Sequence, residues 1–217
     1  MNIPRTSPTR RRAGFTLVEL LTVMAIIAIL AAILVPTTSI AMKKVKEAKT
    51  RVQLNNLVSM CTFYFEQYKV WPTLNATPDH SVDTKLSLKE NAPRFVHVMT
   101  GSPDEPDRPF NKLKIPFATF NDSDLSTDPD TVTPLDAFQN DDLYLVYNTN
   151  ISTLHHISPD VVNGITMTGK DGDKTVSVTQ NAQILINADC VALSPGAGTN
   201  DNDANDVATW NVQIDAN

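Results

Sequence analysis

Residues 14–35 read GFTLVELLTVMAIIAILAAILV, and the 21 residues after Gly14 hold a single charge, Glu19. At about 1.5 Å per residue they make a helix of roughly 31 Å, close to the thickness of a bilayer's hydrocarbon core. Ahead of them stand Arg5, Arg10, Arg11 and Arg12, with no acidic residue. Basic flanks resist translocation, which predicts a cytoplasmic N terminus, a single pass through the inner membrane and a C-terminal domain in the periplasm. Five parts follow: a cytoplasmic leader (1–14), a transmembrane helix (15–36), the exported amphipathic half of that helix (37–71), a proline-rich variable region (72–142) and an antiparallel sheet with an acidic C-terminal loop (143–217).

An ordinary secretory signal has an apolar run of about 7–15 residues and a small-residue cut after it. Here the run is longer and follows Ala13-Gly14 directly, so a cut on its cytoplasmic side retains the anchor. The stretch GFTLVELL, from Gly14, resembles the prepilin family, the type IV pilins and the pseudopilins of type II secretion. The resemblance implies cleavage by a membrane prepilin peptidase between Gly14 and Phe15 and methylation of the new amino terminus on Phe15. A glycine at that bond leaves no Cβ to obstruct a protease at the membrane surface. Glu19 becomes the fifth residue of the mature chain, where a carboxylate in an apolar helix requires compensation. By resemblance its partner is the free amine of Phe15 on a neighbouring subunit, a pair made only on assembly.

Pro36 falls at a position where members of the family commonly carry proline. Its missing N–H and its ring predict a bend or local melting, with Thr37, Thr38 and Ser39 able to satisfy freed backbone groups. Beyond it, Leu54, Val58, Cys61, Phe65 and Tyr68 recur at steps of 3 or 4, which predicts an amphipathic helix continuing to about residue 69, ahead of Trp71-Pro72. Residues 72–134 hold nine prolines and acidic clusters such as SPDEPDRP, and read as a long irregular surface loop that short apolar patches such as LKIPFATF (113–120) can tack to the core. Strand signals return at 143–148, on both sides of GKDGD (169–173), at 182–193 and at 207–214. The fold class is α+β. The resemblance makes it a pilin-like roll, with the long N-terminal helix packed on a C-terminal antiparallel sheet.

Losing residues 1–14 removes four of 18 basic side chains and none of the 24 acids, leaving a formal charge of −10. Such a domain lacks the basic footprint that nucleic acid requires. Residues 193–210, LSPGAGTNDNDANDVATW, resemble the C-terminal calcium loop of the major pseudopilin. That implies Ca²⁺, a hard cation bound by oxygen, with Asp201, Asp203, Asp206 and carbonyls near Leu193 and Ser194 as ligands. The family's early Asp is absent, Pro195-Gly196 lying in its neighbourhood, and an acidic solvated hairpin is the plainer reading. Cys61 and Cys190 would lie in an oxidising compartment, where a disulfide is permitted; two buried free thiols are the alternative. His155-His156 reads as surface histidines and Asp171-Gly172-Asp173 as turn chemistry.

The function expected is that of a structural subunit of a type II secretion pseudopilus, not an enzyme. Its partners would be copies of itself, other pseudopilins, prepilin peptidase, the secretion system's inner-membrane platform and the membrane. A type IV pilin or minor pilin shares the same N-terminal segment and is the alternative. A membrane-anchored exported enzyme or binding module is the reading of another class, and no catalytic motif accompanies it.

Overall fold

In the computed structural model, the described residues are 15–75, 77, 79–102, 105–128, 131–150, 152, 155–168, 175–177, 186, 188–196 and 207–208. Helix α1, Leu17–Tyr68, opens the described chain. It ends where Lys69 turns to a φ of 59° and donates its N–H to the Phe65 carbonyl at 2.7 Å, one residue from the expected stop. Left-handed backbone just past the last turn is a common helix terminator. Contacts divide the chain into two units, Met1–Met42 and Lys43–Asn217.

The first unit holds the apolar part of α1. Its mean hydropathy reaches 2.8 over an 18-residue window, and none of that window is buried within the protein. The helix runs unbroken through position 36, so of the bend or local melting expected there the melting is absent. Threonine hydroxyls on the following residues bond back to the preceding turn, Thr37 Oγ1 to Leu34 O at 2.8 Å and Thr38 Oγ1 to Val35 O at 2.8 Å. Such back-bonding adds second donors to carbonyls of the turn before position 37 and does not reach Ala32 O, the carbonyl that proline leaves without its helical partner.

In the second unit the rest of α1 buries Thr50, Leu54, Leu57, Cys61 and Tyr64. These steps of 3 and 4 are the expected helical period, but the stripe is centred one position off the predicted one. Val58 and Tyr68 flank it, half-buried. The strands are β1 (Thr84–Ser87), β2 (Tyr144–Tyr147), β3 (Thr166–Thr168), β4 (Thr175–Ser177), β5 (Cys190–Ser194) and β6 (Val207–Ala208). An antiparallel sheet runs β1-β2-β5-β6, and β3-β4 form a separate hairpin. The register pairs Tyr147 with Cys190 and Leu193 with both Tyr144 and Ala208.

Alternate residues of a strand face opposite sides. Leu145, Tyr147, Cys190 and Ala192 join the α1 stripe in one core cluster. Val146, Val191 and Leu193 meet Ile157, Ile165 and Met167 in a second. With both faces covered, β2 and β5 read as near-continuous apolar runs, as buried strands do.

The segment read as surface loop is corrected by the structure. It supplies β1, a short helix α2 (Arg94–Met99) and eight buried apolar residues: Leu74, Leu86, Leu88, Phe95, Val96, Val98, Met99 and Ala118. After α2, Ser102 N–H donates to His97 O at 2.9 Å across Gly101, whose φ is +78°. A Cβ at Gly101 would stand 2.7 Å from Lys114 O, so the close approach of the two strands of chain needs glycine there. Asn111, fully buried, fastens this region with its amide to Val98 O at 2.7 Å and Ile115 O at 2.8 Å, while its carbonyl accepts from Tyr68 Oη at 2.8 Å.

Candidate assembly segment and head sites

The start of α1 is set by Thr16 and Glu19. Thr16 N–H and Thr16 Oγ1 both donate to Glu19 Oε2 at 2.8 Å, and Glu19 N–H donates back to Thr16 Oγ1 at 3.3 Å. This reciprocal arrangement is a capping box, satisfying two amide donors that the first helical turn leaves unpaired. The carboxylate in the first turn also complements the positive end of the helix dipole. Thr16-x-x-Glu19 is the sequence signature of such a cap. Phe15 is 82 % exposed, and the apolar side chains from Leu17 to Val35 are exposed around the whole helix. Gly14 lies outside the described residues.

Of the calcium candidates, Asp201, Asp203 and Asp206 lie outside the described residues. Leu193 and Ser194 sit in β5, Leu193 paired with Tyr144 of β2 and Ala208 of β6, and Ser194 with Val207 of β6. The Ser194 hydroxyl is committed to the protein, donating to Asp136 Oδ2 at 2.5 Å and accepting from Gly196 N at 3.0 Å. Among the described residues, no group of three His, Cys, Asp or Glu side chains is placed to hold a metal.

Asp136 itself had no signal in the sequence beyond being one acid among many. It is 1 % exposed and accepts four hydrogen bonds, from Phe138 N, Asn140 N and Asn140 Nδ2 at 2.8 Å each and from Ser194 Oγ. Asn140 Nδ2 also reaches Gly196 O at 2.6 Å, so one buried network ties loop 136–140 to the exit of β5. Burial raises the Asp136 carboxyl above its ordinary value, and the hydrogen bonds only partly offset this. Asp142 is raised for the same reason, with Thr168 N–H opposing it at 2.7 Å.

Cys61 and Cys190 are both buried free thiols. The Tyr147 hydroxyl stands 3.5 Å from Cys61 Sγ. His155 lies in a turn with a φ of 61°, its Nδ1 2.9 Å from Asp189 Oδ1, and both side chains are largely exposed. Together with Phe65, Lys69 and Trp71 the pair borders an open cleft of about 360 Å³. A solvated His–carboxylate pair suits polar contact at a surface.

Among the described residues, one exposed apolar helix with an N-terminal capping box and a small antiparallel sheet form an α+β arrangement consistent with the pilin fold, and the helix is long and apolar enough to cross a membrane. Residues 9–35 match the family of the prokaryotic N-terminal methylation motif. The chain is also similar to the type IV wide pilus major component PilA4 of Thermus thermophilus, 46 % identical over 55 residues, which cover 25 % of this chain and 42 % of that relative. The match thus spans less than half of the curated relative's length. No solved structure matches the chain. The N-terminal segment thus carries the prepilin methylation motif and is similar to that of a type IV pilin, which supports a type IV pilin-like prepilin.

Proposed function

We propose that the chain is a structural filament subunit, cut at Gly14–Phe15 by prepilin peptidase, methylated on Phe15, held in the inner membrane by α1 and packed against copies of itself. The observation that carries this reading is the apolar segment of α1, none of whose most hydrophobic window is buried within the protein, together with the methylation motif over the same residues. An apolar surface of that extent requires lipid before assembly and neighbouring helices after it. In this reading the head is periplasmic and structural, turning over no substrate.

Two filaments are supported by different features. The loop at 193–210 supports a type II secretion pseudopilus working with that system's inner-membrane platform and other pseudopilins, and a calcium ion held by Asp201, Asp203 and Asp206 belongs to the same proposal. The pilus component PilA4 supports a type IV pilus. Deleting the gene separates them: loss of secreted proteins with surface fibres intact indicates the pseudopilus, and the converse the pilus.

The assembly role is tested by Glu19→Ala and Glu19→Gln in the full chain, scoring cleavage by mass and filament yield by sedimentation. Glutamine preserves the capping box but carries no charge. If the carboxylate pairs with a neighbour's amine, both variants are cut normally and both lose filaments. Normal filament yield from Glu19→Gln would show that the cap alone suffices and refute the charge pair. A processed wild-type chain that forms no filament would refute the reading as a whole.

A further inference from the structure

The chain has two cysteines, and the fold brings them together. Cys61 lies on the buried stripe of α1 and Cys190 opens β5; both are in the core cluster between helix and sheet, at 0 % and 7 % exposure. Both side chains lie at the face of the sheet that packs against α1. Tyr147, opposite Cys190 in the register, places its hydroxyl against Cys61 Sγ at 3.5 Å and closes the group from the side of β2. Residues 129 apart in sequence therefore lie in one core cluster beside the same tyrosine, which the sequence left open.

We propose that Cys61 and Cys190 form an intramolecular disulfide that staples α1 to the central strand β5. The inference rests on the head being exported, as proposed above, because disulfides persist in oxidising compartments. The oxidant is a protein or low-molecular-weight disulfide of that compartment. One cysteine thiolate attacks a sulfur of the oxidant, expelling a thiolate and leaving a mixed disulfide. The second cysteine then attacks its partner's sulfur and expels the other half of the oxidant, which departs as two thiols carrying the two protons and two electrons. Burial of both sulfurs, which pushes the Cys190 thiol above its ordinary pKa, makes the folded dithiol a slow nucleophile. The bond therefore forms as the head folds after export and is shielded from reductant afterwards.

The loop enclosed covers most of the head, including β1, α2, β2 and the hairpin β3–β4. Closing a long loop restricts the unfolded chain more than closing a short one. Reduction is therefore expected to lower the melting midpoint of the head.

The test uses full chain extracted from membranes in detergent without reductant, then unfolded and alkylated. No cysteine is modified before reduction and two are modified after it; two modified without reduction would overturn the proposal. In a second arm the reduced, folded chain is unfolded and refolded with oxidised glutathione. It should close to a monomer free of glutathione, whereas Cys61→Ser should not; persistent glutathione adducts on the wild-type chain would overturn the proposal whatever compartment the head occupies. Protease added to spheroplasts reports topology separately: a protected head would refute export, and with it the functional reading, while the refolding arm still decides whether the two sulfurs pair.

Discussion

Replacing Asp136 by alanine tests whether the buried network at the exit of β5 holds the head together. The carboxylate accepts four hydrogen bonds, and truncation leaves Phe138 N, Asn140 N, Asn140 Nδ2 and Ser194 Oγ without that acceptor. Asn140 Nδ2 keeps Gly196 O, and the loss of a desolvated charge is favourable, so the four losses do not add. With each stranded buried donor costing about 1–3 kcal/mol and the relieved carboxylate offsetting part, a net destabilisation of about 3–4 kcal/mol is expected. Urea unfolding of the full chain in detergent, followed by tryptophan fluorescence, measures it; a loss under about 1 kcal/mol would refute the network's role. The pH dependence has a definite sign. Because burial raises Asp136 above the ordinary 3.8, the folded state binds its proton more tightly than the unfolded chain does. Its contribution to stability therefore increases as pH falls through the folded value toward 3.8. Asp142 acts in the same direction. Asp124, lowered chiefly by its hydrogen bond from Asn121, loses stability only below 3.8, outside this window. Asp136→Asn should flatten, without abolishing, the gain on mild acidification; an unchanged slope would refute the assignment.

The remaining predictions concern the core and the acidic loop. Leu57→Ala, at a position 4 % exposed on the buried stripe of α1, should cost about 2–5 kcal/mol in the same unfolding assay, whereas Val52→Ala, at an exposed site, should lie within about 0.5 kcal/mol of wild type. Calcium removal by chelation should lower the melting midpoint if the loop at 193–210 holds the ion, and Asp203→Asn should reduce the difference between calcium-loaded and chelated protein; equal midpoints with and without calcium would sink the metal.

The sheet's central strands were legible because burial on both faces left β2 and β5 as short continuous apolar runs, although β5 begins at Cys190, inside the run expected from 182. The helix was legible for the same physical reason at a different period. Its phase was not, because Val58, Phe65 and Tyr68 are as apolar as the residues that are buried, and only the neighbours decide. Phe65 lies beside Trp71, centroids 4.5 Å apart, and Tyr68 turns its hydroxyl to Asn111. The contribution of residues 72–142 was hidden by dispersion. Leu74, Leu86, Leu88, Phe95 and Met99 do not make one sustained period, and they reach the core through turns fixed by Gly101 and by the buried amide of Asn111. Periodicity detects elements, whereas this segment joins the core one or two residues at a time.

The candidate site shows the opposite asymmetry. Glu19 was conspicuous as a lone charge in an apolar helix, and that very isolation directed the reading toward a partner on another subunit. Within one chain the carboxylate is already satisfied by Thr16. A neighbour's amine would therefore have to compete with, or add to, two existing donors on Oε2. A carboxylate has about four acceptor sites, so an ammonium at Oε1 can be accommodated without breaking the cap. The cap fixes where α1 begins and holds the carboxylate oriented before any partner arrives. The charge, not the hydrogen-bonding shape, is what remains for a second subunit to recognise, and this is why glutamine rather than alanine is the discriminating substitution at position 19.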